Sequence, residues 1–490
     1  MSVRKEGSVE YQSVDADYFD KRGLRRYAGV WSLWALGVGA VISGDFFGWN
    51  YGLAAGGFGG MLVATLIITV MYIGLCASIA EMSPALPHTG GAYSFGRSTM
   101  GPWGGFITGL GENMEYVITP AVIVVGIGSY LGAVFETPAA FAPGWWAIAY
   151  LVFVGLNIVG VELSFRFTVF ITFVALAILA VFFVGAISLF EWRHALDVPP
   201  DPGESAFLPR GWLGVAWCLP FAIWFFLAIE ELPLAAEEAH DPRRDMPRGI
   251  LLGLLTLTIT AFGTLFLNAG IAPGAAEVGK SGEPLFLAFR TIFGDGMGTK
   301  ILALLAVAGL IASFHGIIYA YGRNIYSLSR AGYFPRWLSV THATRKTPHV
   351  ALVVGAVLGY AAACVLHFSG GTVVGAVLLN MAVFGAMISY VMQCLAFILL
   401  RRKMPHIERP FRSPLGVAGA AVALVIALVT LVFVFANEEY RVGVIGAAIW
   451  YAAGLLWFAL YARKRMVLSP EEEFAIEATR RPAIDPHREP

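Results

Sequence analysis

The sequence predicts an all-α polytopic membrane protein with 12 transmembrane helices, and three observations carry that prediction. Hydrophobic residues are 58% of 490 and charged residues 13%, with a mean hydropathy of +0.71; a soluble domain carries roughly 25% charged residues. The apolar residues fall into separate runs, each near the roughly 20 residues that a helix needs to cross the hydrocarbon core. With the N-terminus inside, all 33 basic side chains except Arg193, Arg210, Lys280, Arg290, Lys300 and Arg441 lie on the inner side. That asymmetry is the one expected of a helical bundle in a cytoplasmic membrane.

The runs are, in order, 29–55, 58–80, 103–135, 144–161, 166–190, 212–237, 248–272, 299–328, 348–368, 372–400, 415–436 and 442–462. An even number of spans places both termini on one side, here the cytoplasmic side. Residues 1–28 form a polar N-terminal segment ahead of the first run, which acts as an uncleaved signal anchor. Spans 1–5 occupy 29–190, and an extracytoplasmic loop over 191–211 is stiffened by Pro199, Pro200 and Pro202. Spans 6–10 occupy 212–400; spans 11 and 12, with the basic loop before them, occupy 401–465. The mixed-charge stretches 1–20 and 466–490 are expected to stand outside the fold, the second as a cytoplasmic disordered tail ending in RRPAIDPHREP.

Composition also excludes several classes. The 33 acidic residues balance the 33 basic ones, which argues against a nucleic-acid partner. Cys76, Cys218, Cys364 and Cys394 sit singly inside apolar runs, as small buried hydrophobes. No HExxH, GxSxG, phosphate-loop or cysteine-rich metal pattern is present, so the chain reads as no enzyme and needs no cofactor.

Charges and helix breakers concentrate in a few spans. Span 1 contains GVGAVISGDFFGWNYGL, with Ser43, Gly44 and Asp45 near its middle. Glycine weakens a helix, and a carboxylate at that depth costs a few kcal/mol. A helix broken there must line a protein-enclosed cavity, because lipid cannot satisfy freed backbone groups. Tight Gly-mediated packing is the plain alternative. Span 6 contains WCLPFAIWFFLAIEELPLAAEEAHDP, in which Pro220 and Pro233 bracket Trp224, Phe225 and Phe226, then Glu230 and Glu231. Glu237 and Glu238 lie nearer the inner end, beside Arg243 and Arg244, as gate or salt-bridge residues. Breaks in the first span of each five-span half are the mark of an inverted-repeat transporter with its site at the midplane. Span 3 adds GENMEYVITP, where Glu112 and Glu115 share a helix face with Tyr116 and Thr119. Span 8 places Ser313, His315 and Tyr319 inside the membrane; such a histidine is either a packing residue or a titrating one.

The break ISGDFF, the loop PALPHTGGAYSFGR (84–97), AEEAHDPRRDMPRGI (236–250), LSRAGYFPRWLS (328–339) and RRKMP…RPFRSP (401–414) resemble the amino acid–polyamine–organocation superfamily over about residues 25–465. ISGDFFGWNYGL, GENMEYVITPAV, IEELPLAAEEAHDP and ASFHGIIYAYGR are similar to its ethanolamine permease branch. The resemblance implies a LeuT-like fold with a 5+5 inverted repeat, discontinuous helices 1 and 6, and secondary active import by alternating access. In amino-acid carriers of this kind the span 1 break receives the substrate carboxylate on freed N–H groups. Asp45 puts a carboxylate there already, which would favour an amine without an acid group, such as ethanolamine.

The same resemblance implies a site of Ser43, Gly44, Asp45 and Phe46 on span 1, Glu115 and Tyr116 on span 3, Trp224, Phe225, Ala228, Glu230 and Glu231 on span 6, and His315 on span 8. An ammonium is held by a carboxylate, backbone carbonyls and aromatic faces worth about 0.5–2 kcal/mol each. Glu230, with Glu115 or Glu231, is the candidate for proton coupling, and Trp224 for gating. Sodium-driven relatives use a site between helices 1 and 8, to which Ser313 would contribute an oxygen. Proton-driven relatives place a cation of helix 5 there; Arg166 is either that cation or a side chain snorkelling to the inner surface. The coupling ion is thus H+ or Na+, or there is none. The rival substrates are amino acids and choline or other methylated amines; a channel or sensor would need oligomeric symmetry or an added domain.

Overall fold

The computed structural model describes residues 3–480 apart from 7, 16, 23, 25, 26, 87, 89, 370–373, 439 and 440. Among the described residues ten helices have the length and apolar composition to cross a membrane. They are span 2 (the part of Tyr51–Ala85 after the non-helical Gly57), span 3 (the part of Ala92–Phe135 after the non-helical Gly101), span 4 (Ala142–Val159), span 5 (Val161–Ala186), span 7 (Pro242–Ala269), span 8 (Met297–Arg330), span 9 (His349–Phe368), span 10 (Val374–Lys403), span 11 (Gly416–Ala436) and span 12 (Arg441–Leu460). Spans 1 and 6 complete the twelve, and both are broken. Span 1 runs as Val30–Val41 and Ser43–Phe46, turns extended at Phe47, and resumes as the helix that begins at Tyr51 and ends at the non-helical Gly57. Span 6 runs as Gly211–Ile223, unwinds, and resumes as a 3-10 helix over Ile229–Glu238. Ala228 stands between the two halves at φ +86°, a left-handed conformation that costs a non-glycine residue about 1–2 kcal/mol.

Contacts among spans 1–10 map onto themselves when spans 1–5 are exchanged in order with spans 6–10. Span 1 packs on span 7 and span 6 on span 2; span 5 packs on spans 1 and 8, as span 10 packs on spans 6 and 3. The chain is therefore two five-span repeats of opposite orientation, with spans 11 and 12 added against spans 2, 3 and 10. Large apolar side chains such as Leu151, Phe170, Val184, Val432 and Ile449 point outward, as a lipid-facing surface requires.

Local chemistry sets several boundaries. Asp241 caps span 7 by accepting from Arg243 N, with Pro242 at the first helical position. The basic loop after span 10 folds back on span 2: Glu81, fully buried, takes Arg401 (2.6 Å), Arg409 (3.1 Å) and Ser413 N (2.7 Å).

The expectation that both tails stand outside the fold is corrected. Val3–Glu6 and Val9–Gln12 pair as an antiparallel hairpin. Residues 466–480 are ordered as well: Met466 N donates to Glu10 O (3.0 Å), and a C-terminal helix follows over Pro470–Arg480. Glu471 and Glu472 are buried under the bundle. Acidic residues suit the first turn of a helix, and these two find cationic and phenolic partners that lie far away in sequence. The remainder of the tail, from 481, lies outside the described residues.

Candidate substrate site

The two broken helices meet. A Cβ on Gly44 would stand 2.2 Å from Trp224 O, so only glycine lets the backbones of spans 1 and 6 approach this closely. Trp224 Nε1 then donates to Phe47 O at 2.8 Å, tying one break to the other. Phe225 stacks on Trp49 with ring centroids 5.3 Å apart.

Beside this junction lies a group of buried carboxyls. Glu115, Glu230 and Glu231 are at most 1% exposed. Glu230 faces Glu115 and Tyr390. Both oxygens of Glu230, both of Glu231 and Oε2 of Glu115 lack a partner among the described residues. Tyr390 Oη donates to Glu115 Oε1 (3.4 Å) and shares a 3.0 Å hydrogen bond with Tyr72 Oη. The Tyr72 ring packs on Phe226 at 5.2 Å. Glu112 is different: it accepts from Tyr116 Oη and Asn324 Nδ2, each at 3.3 Å, and so belongs to the contact between spans 3 and 8.

Other expected site residues point away from these carboxyls. The Asp45 carboxyl faces Thr260 and Thr264 of span 7, and its Oδ1 has no partner among the described residues. Phe46 packs its ring over Gly309 of span 8. Ser43 N donates to Ser313 Oγ (2.8 Å), which donates to Gly39 O (2.7 Å) and so seals span 1 to span 8. His315 is held away from the junction between spans 4 and 5: Asn157 Nδ2 lies 3.0 Å from Nδ1, and Ser164 Oγ lies 2.9 Å from Nε2. Arg166 is 69% exposed, pairing with Glu162 at 2.8 Å and donating to Tyr27 Oη at 3.0 Å. Tyr72 and Tyr390, which link the carboxyls, were not picked out from the sequence; a phenol inside an apolar run gives no signal as sharp as a charge.

Comparison with known proteins agrees with this architecture. Residues 33–468 match the family model described as amino acid permease. The chain belongs to the amino acid permease family. It is 29% identical to an uncharacterized transporter of Rhizobium meliloti (strain 1021), over 90% of this chain and 92% of the relative. It is 28% identical to the methylthioribose transporter of Bacillus subtilis (strain 168), over 91% and 96% of the two chains. A branched-chain amino acid permease of the same organism, BcaP, is 26% identical over 96% and 99%. The permease is a multi-pass membrane transporter of small organic substrates.

Access to the junction is unequal. On the face opposite the termini, a vestibule of about 690 Å³ is bordered by Tyr51, Trp145, Trp146, Glu283, His367 and Gly375. Phe47 packs against Gly126 and against Gly375 of the vestibule wall. On the face that carries the termini, the permease is sealed by ion pairs between spans 6 and 8. Arg323 meets Glu238 at 2.8 Å, Tyr319 Oη donates to Glu238 at 2.5 Å, and Arg330 meets Glu237 at 2.8 Å. These partners replace Arg243 and Arg244, which pair with Glu408 and Asp241 instead.

Proposed function

We propose that this permease is a secondary active transporter importing a small organic amine, ethanolamine or a related aminoalcohol, by alternating access. In this reading it sits in the cytoplasmic membrane with both termini inside, so the vestibule opens outward and the ion-paired face is the inner gate. One observation carries the substrate class: five carboxyl oxygens beside the junction of the broken helices are buried without partners among the described residues. Facing carboxylates repel one another, and a cation between them relieves that repulsion. An ammonium supplies both the charge and the hydrogen-bond donors, and its hydroxyl can pair with Tyr72 or Tyr390. Asp45, beside the span 1 break, opposes any substrate carboxylate there.

Ethanolamine uptake into proteoliposomes tests this reading, with unlabelled choline, alanine and arginine as competitors. Saturable uptake blocked by aminoalcohols and indifferent to amino acids is expected. Inhibition by alanine or arginine instead would favour an amino-acid permease, the reading that the name of the relative BcaP supports. Block by choline would widen the site to methylated amines. Collapsing a proton gradient or replacing sodium in the same vesicles distinguishes H+ from Na+ coupling.

A further inference from the structure

Two loops that carried the family resemblance, 84–97 and 328–339, take no part in the substrate site. In the fold they come together at the inner gate and form a socket. Tyr93 and Arg97 come from the first loop, Arg330 and Tyr333 from the second. What fills it is the pair Glu471–Glu472 at the start of the C-terminal helix. Glu472, fully buried, takes four donors: Tyr93 Oη (2.8 Å) and Tyr333 Oη (2.9 Å) on Oε1, Arg97 Nε (2.5 Å) and Tyr11 Oη on Oε2. Glu471 pairs with Arg330 and accepts from Ser327 Oγ at 3.2 Å. The incoming chain lies on Gly332, where a Cβ would stand 2.8 Å from Arg465 O, and Val467 N donates to Ala331 O at 2.8 Å. Phe474 closes the far side against His88, ring centroids 5.3 Å apart.

We infer that this socket is a binding site for two adjacent carboxylates, and that its ligand, the chain's own C-terminal helix, locks the inner gate shut. Opening that gate requires the inner half of span 6 to part from spans 3 and 8. Glu472 ties the short helix ahead of Gly101, which leads into span 3, to the segment after span 8. Glu471 shares Arg330 with Glu237, so it fixes the cation that holds span 6. Buried charges left without their partner are costly, so the three elements are held together while the helix is docked. The inference rests on the proposed alternating access, and its test needs no substrate.

In a chain carrying Ala235→Cys, on the inner half of span 6, a membrane-impermeant maleimide is applied to the face that bears the termini. Ala235 is fully buried in the closed gate, so alkylation above the rate of the chain with Ala235 intact reports opening. Glu471→Gln with Glu472→Gln is expected to accelerate it at least about tenfold, the population change that follows roughly 1.4 kcal/mol. Phe474→Ala, which keeps both carboxylates and loosens only the docking, is expected to accelerate it less, and decides the matter if the double variant fails to fold. Wild-type alkylation rates in folded variants would overturn the lock and leave the helix a structural brace. Acceleration supports the lock whether or not ethanolamine proves to be the cargo.

Discussion

Glu230 turns its carboxyl toward Glu115 of span 3 and Tyr390 of span 10, with no hydrogen-bond partner for either oxygen among the described residues. Removing one member of a buried charge interaction costs about 2–5 kcal/mol. Glu230→Gln is therefore expected to lower kcat/KM for ethanolamine by about thirtyfold or more, read from initial uptake rates. Asp45 sits beside the break and faces span 7, so Asp45→Asn should weaken amine uptake and let alanine compete; unchanged competition would remove Asp45 from substrate selection. His315 makes the opposite prediction. Its two ring nitrogens are spent on Asn157 and Ser164, and a buried polar group losing its partner costs about 1–3 kcal/mol. His315→Ala should lower thermal stability in detergent and leave substrate preference as it was. The sequence made Asp45, Glu115, Glu230 and Glu231 visible because a charge in an apolar run is costly and needs a reason. It could not say which way each points: the face presented to spans 7 and 10 is set by how the breaks pack, not by spacing along one helix.

Gly44 and the C-terminal helix carry the expectations at the level of elements. Gly44→Ala would push a methyl group into Trp224 O, so it should abolish uptake while leaving the chain in the membrane, as surface labelling would check. At the C-terminal helix, burial disfavours the Glu471 charge, but Arg330, then His88 and local hydrogen bonds, outweigh it and hold its pKa below the ordinary carboxylate value. The stabilisation it supplies is thus complete above the unfolded value, about pH 4.3, and is lost as pH falls through the lower folded value. Burial likewise keeps His88, which faces Glu471, Glu237 and Arg330, below its usual pKa. Thermal unfolding of wild type and Glu471→Gln should differ by a constant amount between pH 5 and 8 and converge only in stronger acid. The span breaks were legible because glycine, aspartate and proline interrupt an apolar pattern. The helix over 470–480 was not: an acidic, polar stretch looks alike whether solvated or docked, and Glu472 meets Tyr93 across 379 residues.

At the scale of the whole molecule, two repeats of opposite orientation place the breaks of spans 1 and 6 face to face. The vestibule on one side and the ion-paired gate on the other break the equivalence of the two entrances. A cysteine at Ser129, on the vestibule wall, should react with an impermeant thiol reagent added from the outside and be spared from the inside; the reverse pattern would invert the assigned orientation. The twelve spans could be read from apolar run lengths alone. The direction in which the closed protein is open could not, because it depends on pairings such as Arg323–Glu238 and Arg330–Glu237 that join distant parts of the chain.

Those pairings also bear on how the protein is made. Tyr93, Arg97 and Arg330 enter the membrane region while translation is still under way, yet the carboxylates that satisfy them follow span 12. A nascent chain with every span inserted therefore lacks the carboxylate that Tyr93 and Arg97 bind, and Arg330 has Glu237 but not its second carboxylate. The pairs between spans 6 and 8 can form by then, but the C-terminal helix braces them only when residues 466–480 leave the ribosome and fold back. Maturation ends with a docking step, and a bulky fusion placed directly after span 12 would arrest the protein before it.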